Sequence, residues 1–238
     1  MTLNDPELVR QEYATEAGLV GRRAAYQWAE GPNAPELVFQ AVAECKPSKV
    51  LEVGCGPGEL SERIQRELGA SVVAVDISPR MVELARKRGV DARVGDAEHV
   101  PFEDGSFDCV VAAWMLYHVP NVDLALGELA RVLCPGGRLV AVTNYLDHLK
   151  ELRFLASQDP RPEAAFSGDN GATLLARHFD DVDERDVGGT IRFPDRDAVV
   201  AYLRASILLK DAESLLPQFE PPLVVRRHPT IFVAEKAG

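Results

Sequence analysis

The sequence predicts an α/β fold built on a largely parallel sheet with helices on both faces, and three observations carry that prediction. From residue 49 onward, short apolar β-branched runs alternate with amphipathic stretches of helical period. Strands so continuously apolar belong in a sheet buried on both sides. The first of these runs breaks into a glycine cluster that leads directly into a helix. The 238 residues suffice for one large α/β domain with appendages, and no repeat of about 20–50 residues divides them.

Taken in order, the strands fall at 49–54 (KVLEVG), 71–76 (SVVAVD), 91–95, 107–113 (FDCVVAA) and 138–143 (RLVAVT). After Gly58, Leu60, Ile64 and Leu68 recur every four residues and share one helix face. The next helix opens with Ser78 as cap and Pro79 at its first position, and closes on Arg86, Lys87, Arg88 and Gly89. Cations suit the negative helix end, and glycine suits the left-handed residue beyond it. A third helix covers about 121–134 with Leu126, Leu129 and Leu133 inward, stopped by Pro135-Gly136-Gly137. Strands at 186–193 and 230–236, separated by a helix over 198–209 that Asp195 caps, bring the sheet to seven. Residues 1–48 read as helical, over 13–28 and 34–45, and form a lid ahead of a main domain at 49–238. Residues 144–185 form an insertion on the substrate side, with a proline- and glycine-containing loop (DPRPEAAFSGDNGA) at its middle.

Composition disfavours several partner classes. Lys and Arg number 26 against 37 Asp and Glu, a net charge of −11. That balance opposes the phosphate backbone of nucleic acids and the surface of acidic membranes. The longest apolar run, 109–117 (CVVAAWMLY), falls well short of the roughly 20 residues that cross a bilayer. The first residues, MTLNDPELVRQEYATE, carry acids early and no apolar core with a cleavage site, so a cytoplasmic location is expected. Cys45, Cys55, Cys109 and Cys134 stand far apart with no C-x-x-C, and read as reduced thiols without a metal.

The most informative stretch is 50–58 (VLEVGCGPG), a strand that ends in glycines before a helix. Glycine permits sharp turning and close backbone approach, and the helix start behind it favours negative groups. A nucleotide-like ligand therefore belongs across the carboxyl ends of the strands. A dinucleotide fingerprint requires glycine at position 59, where the chain has Glu59, an acid that would repel a pyrophosphate. The pattern leans towards S-adenosylmethionine and away from NAD. Asp76, 18 residues beyond Gly58, ends the second strand where an acid can accept from both ribose hydroxyls. Asp96 and Ala97 end the third strand, where the carboxylate can accept from an adenine amino group while Ile77 covers a ring face.

With these motifs in view, LEVGCGPG, VDISPRMVELAR, GDAEHVPFEDGSFDCVVA and LARVLCPGGRLV, the segment from about 49 to 144 resembles the class I S-adenosylmethionine-dependent methyltransferases, in particular the ubiquinone-biosynthesis-like small-molecule group. The resemblance implies a Rossmann-like seven-stranded sheet with an antiparallel last strand. It assigns Gly54, Gly56 and Gly58 to the methionine and ribose side, Asp76 to the ribose, and Asp96 with Ala97 to adenine. It also places Glu52, Ile77 and Met81 around the cofactor and makes Ala113 a backbone contact to the methionine amino group. Arg22, with Tyr26 and Trp28, resembles an amino-terminal segment that closes over the cofactor and pairs with the methionine carboxylate; an Arg lying against a buried aromatic pair explains the same spacing.

On the acceptor side, methyl transfer from a sulfonium is an in-line displacement that alignment and water exclusion can drive without a base. If the acceptor must lose a proton, His118 is the best-placed base and His148 the second, although such a histidine can equally cap a segment. Trp114, Tyr117 and Asn144 are candidate pocket residues, with core packing the competing account. No Asn/Asp-Pro-Pro-Tyr/Phe motif follows the fourth strand, and basic residues do not cluster with aromatics. A small-molecule oxygen, nitrogen or carbon acceptor is therefore expected. An RNA methyltransferase needing a partner subunit, or a non-catalytic S-adenosylmethionine-binding regulatory module, are the alternatives.

Overall fold

The computed structural model describes all residues except 1–2, 157–163, 207–208 and 210–211. The strands are β1 (Ala29–Glu30), β2 (Lys49–Val53), β3 (Ser71–Asp76), β4 (Asp91–Val94), β5 (Phe107–Ala113), β6 (Leu133–Asn144), β7 (Asp181–Asp186), β8 (Gly189–Phe193), β9 (Leu223–Arg227) and β10 (Pro229–Glu235). The helices are α1 (Pro6–Glu12), α2 (Ala17–Ala24), α3 (Ala34–Glu44), α4 (Glu59–Leu68), α5 (Pro79–Lys87), α6 (Val122–Val132), α7 (Lys150–Ala156), α8 (Gly171–Leu175) and α9 (Arg196–Ala205). None is long and apolar enough to cross a membrane.

Seven strands form the main sheet in the order β4-β3-β2-β5-β6-β10-β7. The first five are parallel, and β10 runs antiparallel to both β6 and β7. Side-chain alternation along β6 shows how both faces are covered. Leu139 and Ala141 join Leu126 and Leu129 of α6 on one side, while Val140 and Val142 join Val38 and Val42 of α3 on the other. Each such buried Leu or Val side chain contributes about 1.5–3 kcal/mol before ordering costs. The helices start where short polar side chains cap them: Asn33 accepts from the Glu36 amide, Ser78 from Met81, Asn121 from Leu124 and Asp195 from Ala198.

Two sequence expectations need correction. Residues 186–193 are not one strand. The chain leaves the main sheet at Asp186, crosses through Val187 and Gly188, and enters a separate three-stranded sheet of order β1-β8-β9. The seventh strand of the main sheet is β7 instead, a charged edge strand reading DVDERD, whose charges suit an exposed edge. Residues 1–48 do not act as one unit either. The stretch 34–44 is α3, packed into the main core, whereas α1, α2 and the 3-10 turn Ala25–Trp28 lie across the rim and the small sheet. The expected helix over 13–28 begins only at Ala17 and passes into the 3-10 turn at Ala25, and Tyr13 is the C-cap of α1 instead.

The small sheet has its own core, in which Ile191, Phe193 and Val225 pack on Val199 and Leu203 of α9 and on Leu149 and Leu152. Helices α2 and α9 cross closely at Gly21, where an added Cβ would lie 2.6 Å from that of Ala205. The predicted 198–209 helix ends earlier, at Ala205, where Ser206 is an extended C-cap, and part of the predicted loop in the insertion lies outside the described residues.

Candidate functional site

The carboxyl ends of the parallel strands form a rim, and the glycine loop shapes its centre. Gly54, Gly56 and Gly58 all adopt left-handed backbone, with φ of 69°, 53° and 80°. The Gly54 and Cys55 amides donate to the Val75 carbonyl at 2.8 and 3.2 Å, tying the loop to the end of β3. The three glycines serve different ends. A Cβ at Gly54 would strike Met115 at 2.6 Å and one at Gly58 would strike Ala85 at 2.7 Å, whereas one at Gly56 would meet nothing within 4 Å. Gly54 and Gly58 thus exist for packing, and Gly56 leaves the backbone open to close approach from the rim.

Beside Gly56 stands Asp76, 9% exposed, whose carboxylate accepts from the Gly56 amide at 2.8 Å and the Ser78 amide at 2.9 Å. Burial raises its pKa, and these two N–H groups oppose the rise. Its neighbour Ile77 is 38% exposed at the strand end. Asp96 is exposed on the rim with its carboxylate on the Glu98 amide at 2.9 Å, while Ala97 is buried. An open glycine backbone, a buried carboxylate and an exposed apolar side chain together fit an adenosyl group. Two assigned residues stand behind this surface. Met81 is fully buried under the loop, so its side chain offers no face to a ligand. Glu52 is 3% exposed and accepts a hydrogen bond from the Ser61 hydroxyl; burial pushes its carboxyl up to about 7.

Glu59 also departs from expectation. It is half-exposed and ion-paired with Arg23 and, at 3.4 Å, with Arg88, so its charge is largely answered by neighbours and does not by itself deter a phosphate. Arg23 belongs to α2, and this pair is one of several ties that hold the amino-terminal segment across the rim. The Tyr13 carbonyl accepts from the Ser78 hydroxyl at 2.7 Å, and the Glu16 carboxylate accepts from Arg80 Nη2 and Nε at 3.1 and 3.2 Å. Arg22 pairs with Glu12 and donates to the Ala205 carbonyl at 2.8 Å. Its partner in this structure is thus a carboxylate of the same segment.

His118 lies under that segment. Its Nδ1 is 2.8 Å from the Leu3 carbonyl and must donate to it, which leaves Nε2 to accept from the Tyr13 hydroxyl at 3.0 Å. The ring packs edge-on against Tyr13 and Tyr117. Burial raises the Tyr13 pKa, while nearby Arg22 lowers it. Tyr13 is the site residue that sequence reasoning missed, because 105 positions separate it from His118.

His148 is elsewhere. It is 7% exposed, its Nδ1 accepts from the His228 amide at 2.9 Å, and it belongs to the crossing between the sheets. There His228, the single residue between β9 and β10, contacts Asp147 at 2.5 Å and Asp186 at 3.5 Å and stacks on Tyr145. The predicted pocket residues also separate. Ala113 ends β5, and Trp114 follows with left-handed backbone (φ 54°), its amide donating to Val142 at 2.9 Å. That conformation costs an aromatic residue about 1–3 kcal/mol. It turns the indole onto the α3 side of the sheet, where it packs with the core. Asn144 ends β6 with a buried Oδ1 that has no hydrogen-bond partner among the described residues. Asp96, Glu98 and His99 bring their ligating atoms within 4.8 Å of one another on the rim, an exposed grouping that acidic surfaces often show.

A family profile described as a methyltransferase domain matches residues 51–141. The chain is 39% identical over 218 residues to a ubiquinone biosynthesis O-methyltransferase of Xanthomonas oryzae pv. oryzae, covering 83% of this chain and 81% of that protein. It is 38% identical over 117 residues to methyltransferase GfsG of Streptomyces halstedii, 46% of this chain and 42% of that one, so it spans under half of GfsG's length. Among solved structures, the [4+2]-cyclase SpnF superposes with a TM-score of 0.67 at 19% identity, over 96% of this chain and 95% of that one. A possible histamine N-methyltransferase from Thermotoga maritima gives 0.62 at 20% identity, over 95% and 99%. At those identities the likeness is one of fold, and a cyclase among the neighbours shows that fold alone does not decide chemistry.

Proposed function

The chain belongs to the class I S-adenosylmethionine-dependent methyltransferases, and we propose that within that family it methylates a hydroxyl oxygen of a small molecule. The relative that shares most of its length with this chain is named for O-methylation in ubiquinone biosynthesis, which favours oxygen over nitrogen or carbon. Bound S-adenosylmethionine supplies a methyl group on a sulfonium whose charge is lost as the group leaves.

The observation that carries the reading is the Gly56–Asp76 contact of 2.8 Å, which sets a buried carboxylate beside the one loop glycine open to close approach. In this reading Asp76 accepts from the ribose hydroxyls, Asp96 and Ala97 take the adenine edge, and Ile77 covers a ring face. Residues 3–28, tied down at Ser78, Arg80, Glu59 and His118, form the lid that excludes water. The Tyr13 hydroxyl, donating to His118 Nε2, receives the acceptor's proton as its own passes to the imidazole. The Leu3 carbonyl keeps the imidazole in the tautomer that can accept it.

Turnover and cofactor affinity, measured together, test this. His118→Ala and Tyr13→Phe are each expected to lower kcat about 100-fold or more, within the usual range for a proton-transfer group, with S-adenosylhomocysteine affinity unchanged. Unaltered kcat in both would leave alignment alone as the source of catalysis.

A further inference from the structure

We propose that Arg227 is the anion-recognition residue of the acceptor site and that the acceptor carries a carboxylate; the inference rests on the methyl-transfer reading above. Arg227 ends β9 and is 2% exposed. Its Nη2 donates to the main-chain carbonyls of Pro32 and, at 3.4 Å, Glu30, while its Nε is buried with no hydrogen-bond partner. No carboxylate among the described residues pairs with it, in a chain with eleven surplus acids. A guanidinium stays charged, and a buried charge answered only by carbonyls leaves a strong demand for an anion.

The surroundings are built to hold this side chain in place. Opposite it in the sheet stands Gly189, where a Cβ would lie 2.9 Å from Nη2 and 3.0 Å from Nε, so only glycine leaves room. The Tyr26 phenol lies within the electrostatic reach of both Arg227 and Arg22. Arg22 is already answered by Glu12, which leaves Arg227 as the cation in need of a partner. Asn144, whose Oδ1 is the second buried atom without a partner, is paired in the main sheet with Pro229, two residues beyond Arg227. A free donor on a cation and a free neutral acceptor on an adjoining strand end call for a molecule with an anionic oxygen and a hydroxyl. A hydroxylated carboxylic acid meets both demands.

The test uses benzoate, 4-hydroxycinnamate and hexanoate, each against its carboxamide, titrated calorimetrically into the full chain saturated with S-adenosylhomocysteine. At least one acid should bind tenfold or more tightly than its amide, with the preference abolished in Arg227→Gln and largely kept in Arg227→Lys. Equal binding of every acid and amide, no binding by any acid, or a preference that survives Arg227→Gln overturns the proposal. Should Arg227→Gln fail to fold, the unmodified chain decides: the Arg227 Nε–Hε NMR resonance, assigned by through-bond correlation, should move with a carboxylate and stay with its amide, and an unmoved resonance overturns the proposal. Loss of S-adenosylhomocysteine binding would instead sink the methyl-transfer reading, so the two failures are distinguishable.

Discussion

The two sheets of this protein are held by different means. In the seven-stranded sheet, β2, β3 and β5 are buried along almost their whole length and sandwiched by helices, and the loop–helix connections that shape the rim lie within a few residues of each strand. In the three-stranded sheet, β1 has two residues, β8 and β9 alternate buried with exposed positions, and the strands come from opposite ends of the chain. The glycine-loop rim is thus shaped by local chain geometry, while the small sheet is assembled from distant segments.

The first way to break that contrast lies in the glycine loop. Gly58→Val places a branched side chain at φ 80° against Ala85, with a Cβ 2.9 Å from that residue's Cα. Left-handed strain of about 1–2 kcal/mol and overpacking of about 1–3 kcal/mol should lower unfolding free energy by roughly 2–5 kcal/mol in urea titrations. Gly56→Val should lose only the strain yet abolish S-adenosylhomocysteine binding. Equal effects on stability would erase the distinction between a packing glycine and an approach glycine.

Glu52 gives the next largest effect, and its sign follows from burial. Its folded pKa of about 7 lies above the ordinary 4.5, so the native state holds the proton more tightly than the unfolded chain. Stability from this group is present below about pH 4.5 and is lost as pH rises through 7. At about 1.4 kcal/mol per unit the loss is on the order of 3 kcal/mol by pH 8. Glu52→Gln, which keeps an acceptor for Ser61, should gain on the unmodified chain across that window; parallel urea midpoints at pH 5 and pH 8 would contradict it.

Asp76→Asn is expected to cost about 1.5–3 kcal/mol of S-adenosylhomocysteine affinity, the worth of a hydrogen bond to a charged group, and calorimetry would read it directly. The smallest effect sharpens the other side of the comparison. At Gly189 an added Cβ would lie 2.4 Å from the Glu30 carbonyl and 2.9 Å from Arg227 Nη2, so the short β1 and the guanidinium must both give way. Gly189→Ala should therefore cost about 1–3 kcal/mol of stability with S-adenosylhomocysteine affinity untouched. A fall in that affinity would show that the two sheets are not independent.

The same division explains what the sequence disclosed. The strands at 49–54, 71–76 and 107–113 and the Ser78 cap were legible because each depends on neighbours within one strand–loop–helix unit. Residues 186–193 misled because the run is apolar at its far end, although its two adjacent glycines, Gly188 and Gly189, mark where the chain changes sheets. Arg22 and Glu59 carried charges that the sequence left unpaired, and only the fold shows Glu12 and Arg23 answering them. Tyr13 and Arg227 have no local pattern, since each acquires its role from a contact across much of the chain.

The position of β10 bears on how the molecule is made. It slots between β6 and β7, and among the described residues β7 has no other strand partner. On the ribosome, β7 therefore emerges more than forty residues before the strand that completes it. Its run of four acids and an arginine keeps that waiting edge wet and repels a second nascent copy, so the charges guard against aggregation during synthesis.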